Sequence, residues 1–235
     1  MVLKAVLFDF NGVILDDEPI HETLINDLLI SENLRPQPND FNTYCLGRSD
    51  KACLTGVLGS RGRQVSDNYL NQLIQKKAIA YADRLRQMEK LPLFEGVTTL
   101  IESLHQANLK IGVVSGALRD EIITVLQREG LADKISTIVG ADDTPESKPN
   151  PGGYLQAVRN LNLSPQECLV LEDTFIGIQA AKSAKIPVVG VAHTLPFHML
   201  QRCTNWTVDY LSELEIGRIQ AVYAGEKYPT EIPVA

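Results

Sequence analysis

The chain has 235 residues, is 44% hydrophobic and 22% charged, and carries a net charge of −7, a balance that suits one large globular domain or a core with a smaller companion. That charge argues against nucleic acid or an anionic membrane surface as partner, because both are held through basic patches, and no apolar run approaches the roughly 18–20 residues needed to cross a bilayer. The chain runs at once into an apolar segment with no leader pattern, and Cys45, Cys53, Cys168 and Cys203 show no zinc-like spacing, so they read as reduced thiols in a cytoplasmic protein.

In chain order, residues 4–8, 110–114, 136–140, 168–171 and 187–191 are short runs rich in Val, Ile and Leu without polar alternation, the pattern of strands buried on both faces. Amphipathic segments lie between them. Val97, Leu100, Ile101 and Leu104 mark one helix; Ile122, Ile123 and Leu126 mark a second that stops at Gly130; Gly177, Ala180, Ala181 and Ala184 mark a third whose small residues permit close packing on a sheet. This alternation predicts an α/β fold with a parallel sheet and helices on both faces. Residues 16–90 break the rhythm and read as almost wholly helical. Ile20, Leu24 and Leu28 fit one helix, and Leu70, Leu73, Lys77, Tyr81, Leu85 and Met88 trace a stripe on another. The pair Lys76-Lys77 reads as a solvated helix face. The expected organisation is a core of residues 1–15 and 91–235 with a helical cap, 16–90, inserted after the first strand. Lys227 to Ala235 reads as a loosely held tail.

Reactive side chains stand where the strands end, which is where ligands bind in open parallel sheets. Asp9 follows the first strand and runs into Asn11-Gly12; Ser115-Gly116 follows the second; Lys148 lies on the loop after the third; Glu172-Asp173 ends the fourth. Each alone has an ordinary explanation as a turn, a loop or a helix cap. Their order (Asp, Ser, Lys, acidic pair) resembles the four motifs of the haloacid dehalogenase superfamily. The stretches Asp16-Asp17-Glu18-Pro19-Ile20-His21 and Glu172 to Ala181 resemble its β-phosphoglucomutase and phosphoglycolate phosphatase branch. The resemblance covers residues 4 to 214. It implies a Rossmann-like core with a helical cap and a small phosphorylated metabolite as substrate. It also implies Mg2+ held by Asp9, Asp173 and the main-chain carbonyl of Asn11, with Glu172 in support; an all-oxygen set suits that ion. Asp9 is implied as the nucleophile that forms an aspartyl-phosphate, with Lys148, Ser115 and the backbone around Gly12 and Gly116 gripping the phosphoryl group. Within the cap, Arg48 resembles an arginine that binds a distal anion, and it reads equally as an exposed loop residue. The expected state is a monomer or weak homodimer.

The motif usually reads Asp-x-Asp, and here the second Asp is Asn11. An amide has no titratable proton near neutral pH, and general acid–base help contributes about 10²–10⁴-fold. Three readings stay open: a phosphatase acting on good leaving groups, a phosphatase in which Asp16, Asp17, Glu18 or His21 substitutes, and a protein that binds phosphorylated ligands with little turnover. A mutase depends more heavily on the missing acid. A metal-free dehalogenase has no use for Glu172-Asp173, and no G-x-G-x-x-G supports a dinucleotide enzyme. The Asn11-Gly12 pair also has the sequence of a deamidation site, through which a carboxylate could return.

Overall fold

A computed structural model describes residues 2–226; the tail expectation for Lys227 to Ala235 lies outside the described residues. The core is a six-stranded parallel sheet in the order β3-β2-β1-β4-β5-β6. The strands are β1 (Ala5–Phe8), β2 (Lys110–Val114), β3 (Thr137–Val139), β4 (Cys168–Glu172), β5 (Val188–Val191) and β6 (Trp206–Val208). Strand β1 is hydrogen-bonded to β2 on one side and to β4 on the other. The chain therefore winds outward in one direction, returns to the middle and winds outward in the other. The crevice this reversal leaves lies at the carboxyl ends of β1 and its neighbours.

The apolar runs are continuous because alternate residues serve opposite faces. Val6, Phe8, Ile111, Val113, Leu169 and Leu171 pack into one buried cluster, and Ala5, Leu7, Val114, Cys168 and Val170 into the other. Between the strands lie α4 (Val97–Gln106), α5 (Arg119–Arg128), α6 (Gly152–Asn160), α7 (Phe175–Ser183) and α8 (Phe197–Leu200), with α9 (Ile216–Ala224) after β6. The first cluster takes Val97, Leu100, Ile101 and Leu104 from α4, and the second takes Ala180 and Ala181 from α7. Strand β6 and helices α6, α8 and α9 were not foreseen from the sequence.

Between β1 and α4 run α1 (Glu18–Ser31), α2 (Asp50–Ser60) and α3 (Asp67–Gln87), with a single π-helical turn at Phe41–Cys45. These helices have an apolar cluster of their own, built on Ile25, Leu28, Leu54, Val57, Leu58, Leu70 and Leu73. Leu24, Tyr81 and Leu85 belong instead to the core cluster and tie the cap to the sheet. Two expectations are corrected here. Cys45 and Cys53 are joined in a disulfide, because the π-turn brings the first against the start of α2; Cys168 and Cys203 are free. Lys77 is not solvated: it is 2% exposed and paired with Asp50 at 2.6 Å.

Candidate active site

Asp9, directly after β1, is 3% exposed. Its Oδ1 accepts from the Phe10 amide at 2.7 Å and from Lys148 Nζ at 2.7 Å. The same ammonium reaches Glu172 Oε1 at 2.6 Å, and Tyr154 donates its hydroxyl to that oxygen at 2.8 Å. Glu172 Oε2 accepts from the Thr174 hydroxyl at 3.1 Å, and Thr174 in turn caps α7 by accepting from the Gly177 amide at 3.2 Å. Thus β4 delivers the acidic pair, and the α7 cap fixes its orientation. The backbone must also yield space: a Cβ on Gly177 would lie 1.8 Å from Glu172 Oε1, and one on Gly12 would lie 2.0 Å from Asp173 Oδ2. Gly12 has φ +79°, a left-handed turn open to glycine at low cost.

Asp9, Glu172 and Asp173 each present a carboxylate oxygen within 4.8 Å of the others. Burial, then repulsion from Glu172, raises the Asp9 carboxyl to about 8 against the pull of Lys148. Asp173 is pushed well above the usual carboxylate range by burial and by both neighbouring acids. The same carboxylates hold Lys148 above its ordinary value even though burial opposes them. One lysine does not balance three buried acids, and Asp173 Oδ1 has no hydrogen-bond partner among the described residues, a group that is costly to leave unmet. A hard divalent cation taking oxygens from Asp9 and Asp173 fits this donor set.

Asn11 continues from Asp9 toward the cap. Its Oδ1 accepts from the Ser115 hydroxyl at 3.1 Å, which puts the second and first strand ends in contact. Its Nδ2 lies 3.0 Å from each oxygen of Asp17 and 3.1 Å from His21 Nε2. His21 Nε2 is 3.0 Å from Asp17 Oδ2, the Tyr81 hydroxyl donates to the same oxygen, and the His21 and Tyr81 rings stack at 4.6 Å. Burial and the charge of Lys77 pull the His21 imidazole down, but the Asp17 charge and hydrogen bond outweigh them and raise it. Burial works to raise Asp17, yet its partners hold it below the ordinary value.

Of the four cap-root residues singled out in the sequence, Asp17 and His21 turn inward to Asn11, Glu18 lines the cavity beyond, and Asp16 is exposed. That cavity, of about 40 Å³, is bounded by Asp9, Asn11, His21, Arg48, Lys77 and Gly116 among others. Arg48 is therefore at the cavity wall and half-buried. Its loop lies directly on the core: a Cβ on Gly116 would meet the Arg48 carbonyl carbon at 2.8 Å, and one on Gly47 the Thr174 hydroxyl at 2.8 Å.

Sequence reasoning missed Tyr81, Tyr154, Thr174 and the Lys77–Asp50 pair as parts of the site. Lys77 carried a signal, since it stands inside an otherwise apolar stripe. Thr174 carried another, as a capping residue directly after the acidic pair. Tyr81 and Tyr154 carried none beyond burial.

These features define a class: a doubly wound α/β core with clustered acids and a buried lysine at its switch point, closed over by an inserted helical cap. Residues 6–191 match the family model described as "Haloacid dehalogenase-like hydrolase", and the chain belongs to that family. It is 28% identical to β-phosphoglucomutase of Bacillus subtilis, covering 90% of this chain and 93% of the relative. It is 26% identical to the phosphorylated carbohydrates phosphatase of Thermotoga maritima, over 82% of this chain and 87% of that one. The crystal structure of β-phosphoglucomutase from Clostridium difficile superposes with a TM-score of 0.84 at 26% identity, covering 95% of this chain and 98% of the other.

Proposed function

We propose that this protein is a Mg2+-dependent phosphatase that hydrolyses a small phosphorylated carbohydrate through Asp9. The observation that carries the reading is the buried Asp9–Lys148–Glu172 chain at 2.7 and 2.6 Å beside the unpartnered Asp173 Oδ1. Such an array sets a nucleophilic carboxylate, an ammonium able to grip phosphoryl oxygens and a carboxylate oxygen free to bind a cation at one point. Mg2+, when bound by Asp9 and Asp173, supplies charge neutralisation for the carboxylates and the phosphoryl oxygens. Asp9 attacks phosphorus in line while Lys148 Nζ and the Ser115 hydroxyl hold equatorial oxygens, and water then cleaves the aspartyl-phosphate. Asn11 donates a hydrogen bond from Nδ2 but transfers no proton. The titratable group beside it is the His21 imidazole, whose Nε2 lies 3.1 Å from that nitrogen, and its proton is the one the leaving oxygen takes up.

The mutases among the relatives support the phosphate chemistry, but returning a phosphoryl group to sugar repeats the acid–base step that Asn11 impairs. Hydrolysis is therefore the preferred reading. The test is hydrolysis of para-nitrophenyl phosphate and a panel of sugar phosphates with and without Mg2+, alongside Asp9→Asn. Turnover should require the metal and fall at least about 10³-fold in the variant, the scale expected on removing a nucleophile. Equal turnover by Asp9→Asn would remove Asp9 from the reaction. An inert wild type that still binds orthovanadate would make the protein a phosphate-ligand binder.

A further inference from the structure

Asp17 occupies the N-cap position of α1, where a carboxylate ordinarily accepts from the first-turn amides. It makes no such bond. Its side chain is instead fully buried, and its two oxygens divide the work unequally. Oδ2 accepts from His21 Nε2 and from the Tyr81 hydroxyl, and lies 3.0 Å from Asn11 Nδ2. Oδ1 faces Asn11 Nδ2 at 3.0 Å and has no other hydrogen-bond partner among the described residues. The amide of Asn11 is thereby fixed in one sense: its NH₂ must face the carboxylate, which leaves Oδ1 to the Ser115 hydroxyl at 3.1 Å.

We infer that Asp17 is the positioning residue for Asn11, and that the two form a transposed amide–carboxylate pair. The carboxylate absent from position 11 stands at position 17. The pair works as a unit. Asn11→Asp alone would set a second carboxylate against the first and take from Asp17 Oδ1 the Nδ2 donor it faces. Asp17→Asn alone would oppose two NH₂ groups unless Asn11 flips and turns its oxygen from Ser115. Exchanging both restores the pattern, because the Nδ2 of an amide at 17 takes the place of Oδ1 and donates to the carboxylate at 11. Its oxygen then keeps the bonds from His21 and Tyr81. Adding the missing acid by Asn11→Asp is accordingly not a gain by itself.

The catalytic part of this inference rests on the phosphatase reading; the pairing does not. The experiment compares wild type, Asn11→Asp, Asp17→Asn and the double exchange for kcat, KM and melting temperature, with Asp9→Asn as control. Each single substitution should lower kcat about tenfold or more, with KM little changed, and the double exchange should recover most of that loss. Melting temperatures should follow the same order, with both singles below wild type and double. Losses that simply add, or Asn11→Asp alone equalling or exceeding wild type, would overturn the pairing. If wild type proves inert or Asp9→Asn remains active, the phosphatase reading falls. The pairing is then decided by the melting temperatures, where additive shifts refute it and recovery in the double exchange upholds it.

Discussion

Asn11 and Glu18 show how neighbours set the behaviour of single residues in this site. The Asn11-Gly12 pair has the sequence of a deamidation site, but succinimide closure requires the Gly12 nitrogen to turn onto the Asn11 side chain. That nitrogen donates to the Leu15 carbonyl at 2.9 Å, and both ends of the Asn11 amide are engaged. The structure therefore opposes the reaction. Glu18 lines the cavity, and burial, above all, raises its carboxyl to about 7. A carboxyl raised on folding contributes stability that is complete below its ordinary value near 4.5 and is lost as pH rises through about 7. Glu18→Gln, which stays neutral, should match wild type near the lower value and exceed it by about 3 kcal/mol at pH 8. Chemical denaturation at the two pH values checks this, and parallel stability curves for the two proteins would show that Glu18 is solvated.

At the scale of elements, the loop between the π-turn and α2 joins cap to core. Gly47 has φ +71°, and a Cβ there would strike Thr174, the residue that caps α7 and touches Glu172. Gly47→Ala should therefore prop the cap away from the core, raising KM for sugar phosphates about tenfold while changing para-nitrophenyl phosphate hydrolysis less. Arg48→Ala should raise KM only for substrates with a second anionic group. Steady-state kinetics on the two substrate classes separates these effects, and equal KM in all proteins would make the loop a surface feature. The core strands were legible in the sequence because strands buried on both faces leave unbroken Val, Ile and Leu runs. Asp9, Ser115, Lys148 and Glu172-Asp173 were legible because each ends or follows such a run. β6 was not, since its three residues at the sheet edge include a half-buried Trp206 and Thr207. Lys77 was misjudged because a helical lysine is usually solvated; its partner Asp50 lies on a different helix, a contact no local pattern reveals. The Cys45–Cys53 bond likewise depends on a π-turn that local periodicity does not announce.

Across the whole molecule, the sheet collects acids from separate strand ends into one buried crevice while the chain carries a net charge of −7. Assembling the site without a cation therefore works against folding. Asp9 is raised to about 8 and Asp173 well beyond the ordinary range. For carboxyls raised in this way, their contribution is favourable below the ordinary value of 3.8 and is lost as pH climbs through about 8. Protons and Mg2+ compete for the same oxygens, so the cation should bind weakly when the carboxyls are protonated and strongly when they are not. Thermal melts with and without Mg2+ should show a small rise in melting temperature at pH 5.5. At pH 8.5 the rise should be larger, corresponding to about 2–3 kcal/mol at saturating metal. Asp173→Asn should abolish the difference, because it removes the oxygen that lacks a partner. A shift equal at both pH values would place the ion elsewhere, and no shift at either would mean that Lys148 alone balances the acids. The dependence on pH separates a cation drawn into this crevice from one attracted to the acidic surface, because exposed carboxylates are already ionised at pH 5.5.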